Sequence, residues 1–190
     1  MAKTLKKSCA AFLSLLMILS TLLYFPSGTF AGMDFGLTAQ AYTPDTTPSK
    51  PQAGDGSQES PYEITSVGEL YWFAGLVNGT LEDGTAQNMS ANAILMTDLV
   101  INENLGDTSG NLNEGEHVTW TPLSNFKGSF NGNKHNIWGL YVNGSSNNVG
   151  FVGTLDHGSI TNLGIHYSYF KGNDYVGAIC GQSDHGVVSN

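Results

Sequence analysis

The chain has 190 residues, room for one folded domain and some additional segments. Sixteen acidic side chains face seven lysines and no arginine, a formal net charge of −9. That balance argues against nucleic acid and anionic membrane surfaces as partners and suits an extracellular, soluble module with neutral ligands.

Lys3, Lys6 and Lys7 precede an apolar run from Ala10 to Phe25, the pattern of a secretory signal. The run also approaches the length of a membrane span, so an uncleaved anchor is the alternative. Small-residue cleavage signals follow, Ala39-Gln40-Ala41 and the weaker Thr29-Phe30-Ala31. The reading is export with residues 1–41 removed and no membrane insertion after cleavage. Cys9 stands ahead of the apolar run, where lipoprotein processing does not use it. A mature chain would keep only Cys180, and a lone cysteine forms no internal disulfide. Within the apolar run Val176–Gly181 it reads as a small hydrophobe before it reads as a nucleophile.

Residues 42–59 are rich in Pro, Thr, Ser and Gly, with almost nothing to bury, and predict a flexible linker. The domain is expected over 60–190. Ser66 with Glu69 three residues on is a capping-box signature. Val67, Leu70, Phe73, Ala74 and Val77 recur at helical spacing, and Gly79 is a natural stop. Gly75 is the one internal weakness. A short helix over about 66–78 is therefore predicted.

From about Ala91 the pattern becomes short apolar runs separated by Gly, Asn, Asp and Ser, which is strand-and-turn punctuation. Ile137, Leu140 and Val142 match Ile160, Leu163 and Ile165 at an offset of 23 positions, and Ile160 and Asn162 match Val188 and Asn190 at 28. A period in the twenties predicts a mostly β chain, a right-handed parallel β-helix (solenoid) with a short N-terminal capping α-helix. Ile137, Ile160 and Val188 are expected to form one interior ladder and Leu140 with Leu163 another. The change of parity between Ile137 and Leu140 places a corner there.

The stretches Val149–Gly153 and Val176–Gly181 resemble the GLUG motif of repeats in bacterial surface proteins. Its core falls on Gly150, Phe151, Val152 and Gly153, and again on Gly177, Ala178, Ile179 and Gly181, with Cys180 inserted before the closing Gly. The upstream runs follow in the order typical of that family's amino-terminal region, so the resemblance covers about Gly54 to Asn190. Departures are Asn131 in the usual Phe-Asp-Gly and Lys134 in place of a Gly. The resemblance implies a parallel β-helix exported to the surface of Gram-positive bacteria. The motif also occurs beside the catalytic domain of IgA-cleaving metallopeptidases, and it implies no activity of its own.

Asp156-His157-Gly158 and Asp184-His185-Gly186 are the sharpest repeated pair. Stacked, they would serve as a metal or acid/base cluster, or as a repeated turn with Asp bonding its own backbone and Gly at positive φ; the turn is the expected reading. No His-Glu-x-x-His occurs, and no catalytic or metal-binding residue or cofactor is assigned. Trp120, Trp138, Tyr141, Tyr167, Tyr169, Phe170 and Tyr175 offer a sugar-stacking platform or fill the core. Trp138 and Tyr141 are the ligand-binding candidates, Trp138 because the polar Thr161 takes its position one coil on, which points to exposure. Asn136, Asn162 and Asn190 are expected at corners, bonding along the axis.

The expectation is a noncatalytic, secreted and cell-surface-associated repeat rod for adhesion or contact with host or matrix glycans or proteins. The alternatives are a β-helical carbohydrate-active enzyme and a non-catalytic arm of a larger surface peptidase. Asn190 falls in mid-repeat, so further repeats of a longer chain are expected beyond it.

Overall fold

The computed structural model describes residues 43–106 and 111–190; the expected signal segment lies outside them. In chain order the elements are β1 (Tyr62–Ile64), α1 (Val67–Asn78), β2 (Ala93–Leu95), β3 (Leu99–Val100), β4 (Ser129–Asn131), β5 (Asn136–Trp138), β6 (Tyr141–Asn143), β7 (Val152–Asp156), β8 (Ser159–Thr161), β9 (Gly164–His166), β10 (Tyr169–Lys171), β11 (Cys180–Asp184) and β12 (Val187–Ser189). Among the described residues no strand exceeds five residues, because each apolar run is cut by a turn residue before it can extend.

Among the described residues every pair of named strands is parallel. One sheet runs β1-β2-β4-β8-β12, a second β3-β5-β9, a third β6-β10 and a fourth β7-β11. A full coil thus visits four sheets, as in β4 to β7 and again in β8 to β11. The coil before them is less regular. There Trp120 takes the place of a third strand by donating its N–H to the Tyr141 carbonyl at 2.8 Å, and Leu123 and Phe126 bridge to Val152 and Leu155. The predicted parallel β-solenoid is this stack.

The interior is filled rung on rung. Trp120 lies flat on Phe151, with ring centres 5.4 Å apart and planes 11° apart, and Phe151 meets Phe130 edge-on at 5.0 Å. The Trp120 indole N–H donates to the Phe151 carbonyl at 3.1 Å, so its one polar atom is satisfied inside the core. Ile137, Leu140, Val152 and Leu155 are fully buried around them.

Helix α1 closes the amino-terminal end. Ser66 accepts the Glu69 N–H at its N-cap, but the Glu69 carboxylate reaches Thr65 and not Ser66, accepting from its N–H and its hydroxyl at 2.7 Å each. Gly79 ends the helix at φ 69°. Phe73 packs against Phe126 and Phe130 at 6.0 and 5.9 Å, and Tyr71 against Trp120 at 5.5 Å. Gly75 is no flaw: a Cβ there would come within 2.7 Å of Leu81, which packs onto the helix at that point.

Three expectations need correction. The solenoid does not start at Ala91: β1 pairs with β2, so the first rung precedes the helix. Residues 49–59, within the segment 42–59 read as linker, are fastened down. Ser49 donates to the Gly68 carbonyl, Ala53 accepts from Glu63, and Lys50 lies 5.9 Å from the centre of the Trp72 ring. Composition missed this because the segment supplies backbone groups and a lysine stem, with few apolar side chains of its own.

The offset of 23 is the third. Ile137 is in register with Leu99 and Ile165, and Ile160 with Phe130 and Val188. Leu140 and Leu163 do not stack, since the Leu140 carbonyl accepts from Tyr169 and Gly132 lies against Leu163. Successive corners of a four-sided coil carry similar apolar spacing, so 23 compared one corner with the next. The corner expected between Ile137 and Leu140 is Gly139 at φ 74°, where Asn102 backbone leaves no room for a side chain.

Truncating the residue that joins two rungs tests the stack. Phe151→Ala is expected to cost about 3–5 kcal/mol in chemical denaturation, while the exposed Ser145→Asp stays within about 0.5 kcal/mol of wild type.

Candidate functional site

The glycines of the Gly-apolar-apolar-Gly stretches are structural. A Cβ on Gly150 would lie 2.5 Å from the Gly177 carbonyl oxygen, one on Gly153 2.8 Å from that of Asn148, and one on Gly181 2.5 Å from that of Tyr175. Gly177 is closed in likewise by the Cys180 carbonyl. Backbone of neighbouring chain occupies the space where side chains would be. Between the glycines Phe151 and Val152 are buried, and Phe151 and Val152 donate to the carbonyls of Ala178 and Ile179 at 3.0 and 2.9 Å. The register moves from Val149 opposite Val176 to Val152 opposite Cys180, which absorbs the inserted residue. Burial pushes the Cys180 thiol up, away from the reactive thiolate, and it donates to the Gln182 carbonyl at 2.8 Å.

The outer face carries aromatic side chains in register. Trp138 pairs with His166, not with Thr161, which lies opposite Asn131. Its ring stacks on His166 at 4.7 Å and on Tyr167 at 5.5 Å, with planes 24° and 13° apart. Beside this ladder a second runs from His117 through Tyr141 to Tyr169, at 4.9 and 5.7 Å. Trp138 and Tyr141 are half-buried, and Tyr167 is 76% exposed. Trp120, in contrast, is core. A coil length of 28 aligns His166 with Trp138, and Tyr167 follows it at the corner.

The Asp-His-Gly pair is a turn, but with its roles redistributed. The positive φ falls on His157 and His185, at 59° and 55°, and not on the glycines, which are needed for close approach to Leu155. Each Asp accepts from the following His Nδ1 at 2.6 Å and not from its own backbone, and the two imidazoles stack at 5.0 Å. Lys127 pairs with Asp156 at 2.9 Å. The hydrogen bond from His157, followed by that from Lys127, holds the Asp156 carboxyl below the usual carboxylate range. Among the described residues no group of three or more His, Cys, Asp or Glu side chains is arranged to hold a metal ion.

The corner asparagines do not form one column. Asn136 bonds Asp98 through its N–H at 2.9 Å and accepts from His166 Nε2 at 3.0 Å, while Asn162 donates to Asn131 at 3.2 Å. Axial amide bonding is present with different partners, again because the coil is longer than 23 residues.

No family profile matches the chain, and no solved structure matches it. The chain is similar to halomucin of Haloquadratum walsbyi (strain DSM 16790 / HBSQ001). The two are 33% identical over 144 residues, covering 72% of this chain and 1% of halomucin. The chain therefore corresponds to a very small part of the protein it matches. Among the described residues no helix is long and apolar enough to cross a membrane.

A carboxyl pKa lowered by folding contributes stability above its unfolded value, near pH 4, and loses it as pH falls through the folded one. Asp156 is therefore expected to titrate below an ordinary aspartate by carboxyl ¹³C NMR. His157→Ala should move that midpoint up by more than Lys127→Ala does.

Proposed function

We propose that the chain is a noncatalytic, exported surface module, a short solenoid rod whose outer aromatic strip contacts host or matrix ligands, glycans first among them. The observation that carries this reading is the pair of exterior ladders, Trp138 with His166 and Tyr167, and His117 with Tyr141 and Tyr169. Flat aromatic faces in a row, on a rigid backbone and with hydrogen-bonding groups nearby, are what a sugar chain needs for a shallow, extended contact. The likeness to part of halomucin, a surface protein, supports a place outside the cell, as does the acidic surface. The GLUG resemblance belongs to the same proposal, and with it a role as one arm of a longer surface protein.

One observation favours a rival, a β-helical carbohydrate-active enzyme. Asp156 and Asp184 are in register on adjacent coils, about 4.8 Å apart along the axis, close to the roughly 5–5.5 Å of retaining glycosidases. Such an enzyme needs one carboxyl with a raised pKa to act as acid. Asp156 is shifted the other way, by partners that hold it ionised.

The test is a glycan and mucin array followed by a cleavage assay on whatever binds. Binding without turnover is expected, with signal lost in Trp138→Ala and reduced in Tyr141→Ala. Turnover abolished by Asp156→Ala with the fold intact would replace this reading with the enzyme.

A further inference from the structure

The Trp138 ladder is interrupted on one side, and a cleft opens there. The ring has His166 and Tyr167 stacked on it from the following coil. On the preceding coil its register partner is Val100, whose side chain is too small to cover an indole. An open cleft of about 610 Å³ lies there, lined by Val100, Glu103, Asn104, Leu105, Trp138 and Tyr167. The cleft opens where a further aromatic rung would continue the ladder, with Glu103 and Asn104 beside Trp138 and Tyr167.

The cleft's other wall is a held turn. Ile101 and Leu105 are buried on either side of Glu103 and Asn104, which are exposed. Asn102 clamps the base, accepting the Val118 N–H at 2.8 Å and donating to the Val118 and Gly139 carbonyls at 2.9 and 2.7 Å. Asn104 sits at φ 53°, and Asn113 donates to its carbonyl. Tyr167, on the opposite wall, is an exposed aromatic residue held at φ 44°. A β-region φ would be cheaper for a tyrosine, and such strain gathers where side chains are presented to ligands.

We propose that this cleft is a saccharide subsite in which a neutral pyranose ring takes the place of the missing rung beneath Trp138, with Glu103 and Asn104 receiving its hydroxyls. The proposal rests on the glycan-contact reading above and narrows it to one cleft and one sugar class. The ring's C–H face packs against the Trp138 indole, much as the next aromatic rung would. The Glu103 carboxylate accepts hydroxyl protons and the Asn104 amide both donates and accepts. Among the described residues no lysine lines the cleft, and the chain carries a net charge of −9, so sugars bearing carboxylates are repelled.

Trp138 is its own reporter, because Trp72 and Trp120 are 2% and 1% exposed. The experiment titrates the chain with cellotriose, N,N′,N″-triacetylchitotriose and trigalacturonate at neutral pH, following the indole N–H resonances. At least one neutral trisaccharide is expected to shift the Trp138 signal below about 10 mM, and trigalacturonate to leave it in place. Val100→Phe fills the missing rung and should lower the neutral affinity at least about tenfold at an unchanged or higher melting temperature. Glu103→Lys should admit trigalacturonate. If arrayed glycans bind wild type but Val100→Phe keeps full affinity, or if only Tyr141 and Tyr169 signals move, the cleft is overturned and glycan contact elsewhere on the strip survives. If no arrayed glycan binds and no trisaccharide moves Trp138, both fall together.

Discussion

The closeness of the backbones in adjacent coils governs the rest of this structure. Parallel strands stacked along the axis share one hydrogen-bonding distance, about 4.8 Å, and that spacing cannot relax at the corners without breaking the ladder. Where the chain turns, carbonyl groups of neighbouring backbone come within 2.5 to 2.8 Å of the Cβ positions of Gly150, Gly153 and Gly181. A side chain there would force the coils apart over their whole width. The repeated glycines are thus the residues that set the coil spacing, and the apolar residues between them only have to fill the space so defined.

The same spacing explains the aromatic core. A phenyl or indole ring is about as thick as the gap between rungs, so rings from successive coils either lie flat, as Trp120 does on Phe151, or meet edge-on, as Phe151 does with Phe130. The stack needs an end. A first coil made only of strands would leave its lower apolar face bare. Here β1 supplies a single rung, and the chain then departs into α1, whose Phe73 and Tyr71 cover Phe126, Phe130 and Trp120. The helix is buried on most of its circumference, because residues 45–49 close over Gly68 and Leu81 over Gly75 on its far side.

The elements with local causes were legible in the sequence. Ser66, Glu69 and Gly79 announce the helix, and glycine-punctuated apolar runs announce a solenoid. Register was less accessible. Ile137-Leu140-Val142 and Ile160-Leu163-Ile165 share a spacing because each straddles a corner, but one straddles the corner after β5 and the other the corner after β8. Only the 28-residue step, seen in Ile160 and Val188, measures a coil. The irregular coil between β3 and β4 obscured this by inserting the turn around Glu103 and the segment leading to Trp120. The error carried into the candidate site. Trp138 was set against Thr161, so its stack on His166 and Tyr167 was hidden, and with it the part played by Val100. Residues 49–59 were illegible for another reason: they are held through backbone groups, which composition does not register.

A solenoid that repeats its interior also repeats its exterior, because both are set by one register. Residues facing outward on successive coils are placed at contact distance whether or not packing requires it, and here that produces three ladders: Trp138 with His166, Tyr141 with Tyr169, and His157 with His185. In the interior a small residue at a ladder position leaves a cavity, which costs stability and is filled by neighbouring side chains. Outside, water fills the gap at little cost, so a small residue such as Val100 below Trp138 is tolerated by the fold. A gap at a ladder position, with an aromatic residue beside it, is a recess that this architecture can form without disturbing its core. On a surface of regular flat strips, departures from ladder symmetry are therefore where selectivity for a ligand can arise, and the step from Val100 to Trp138 is such a departure.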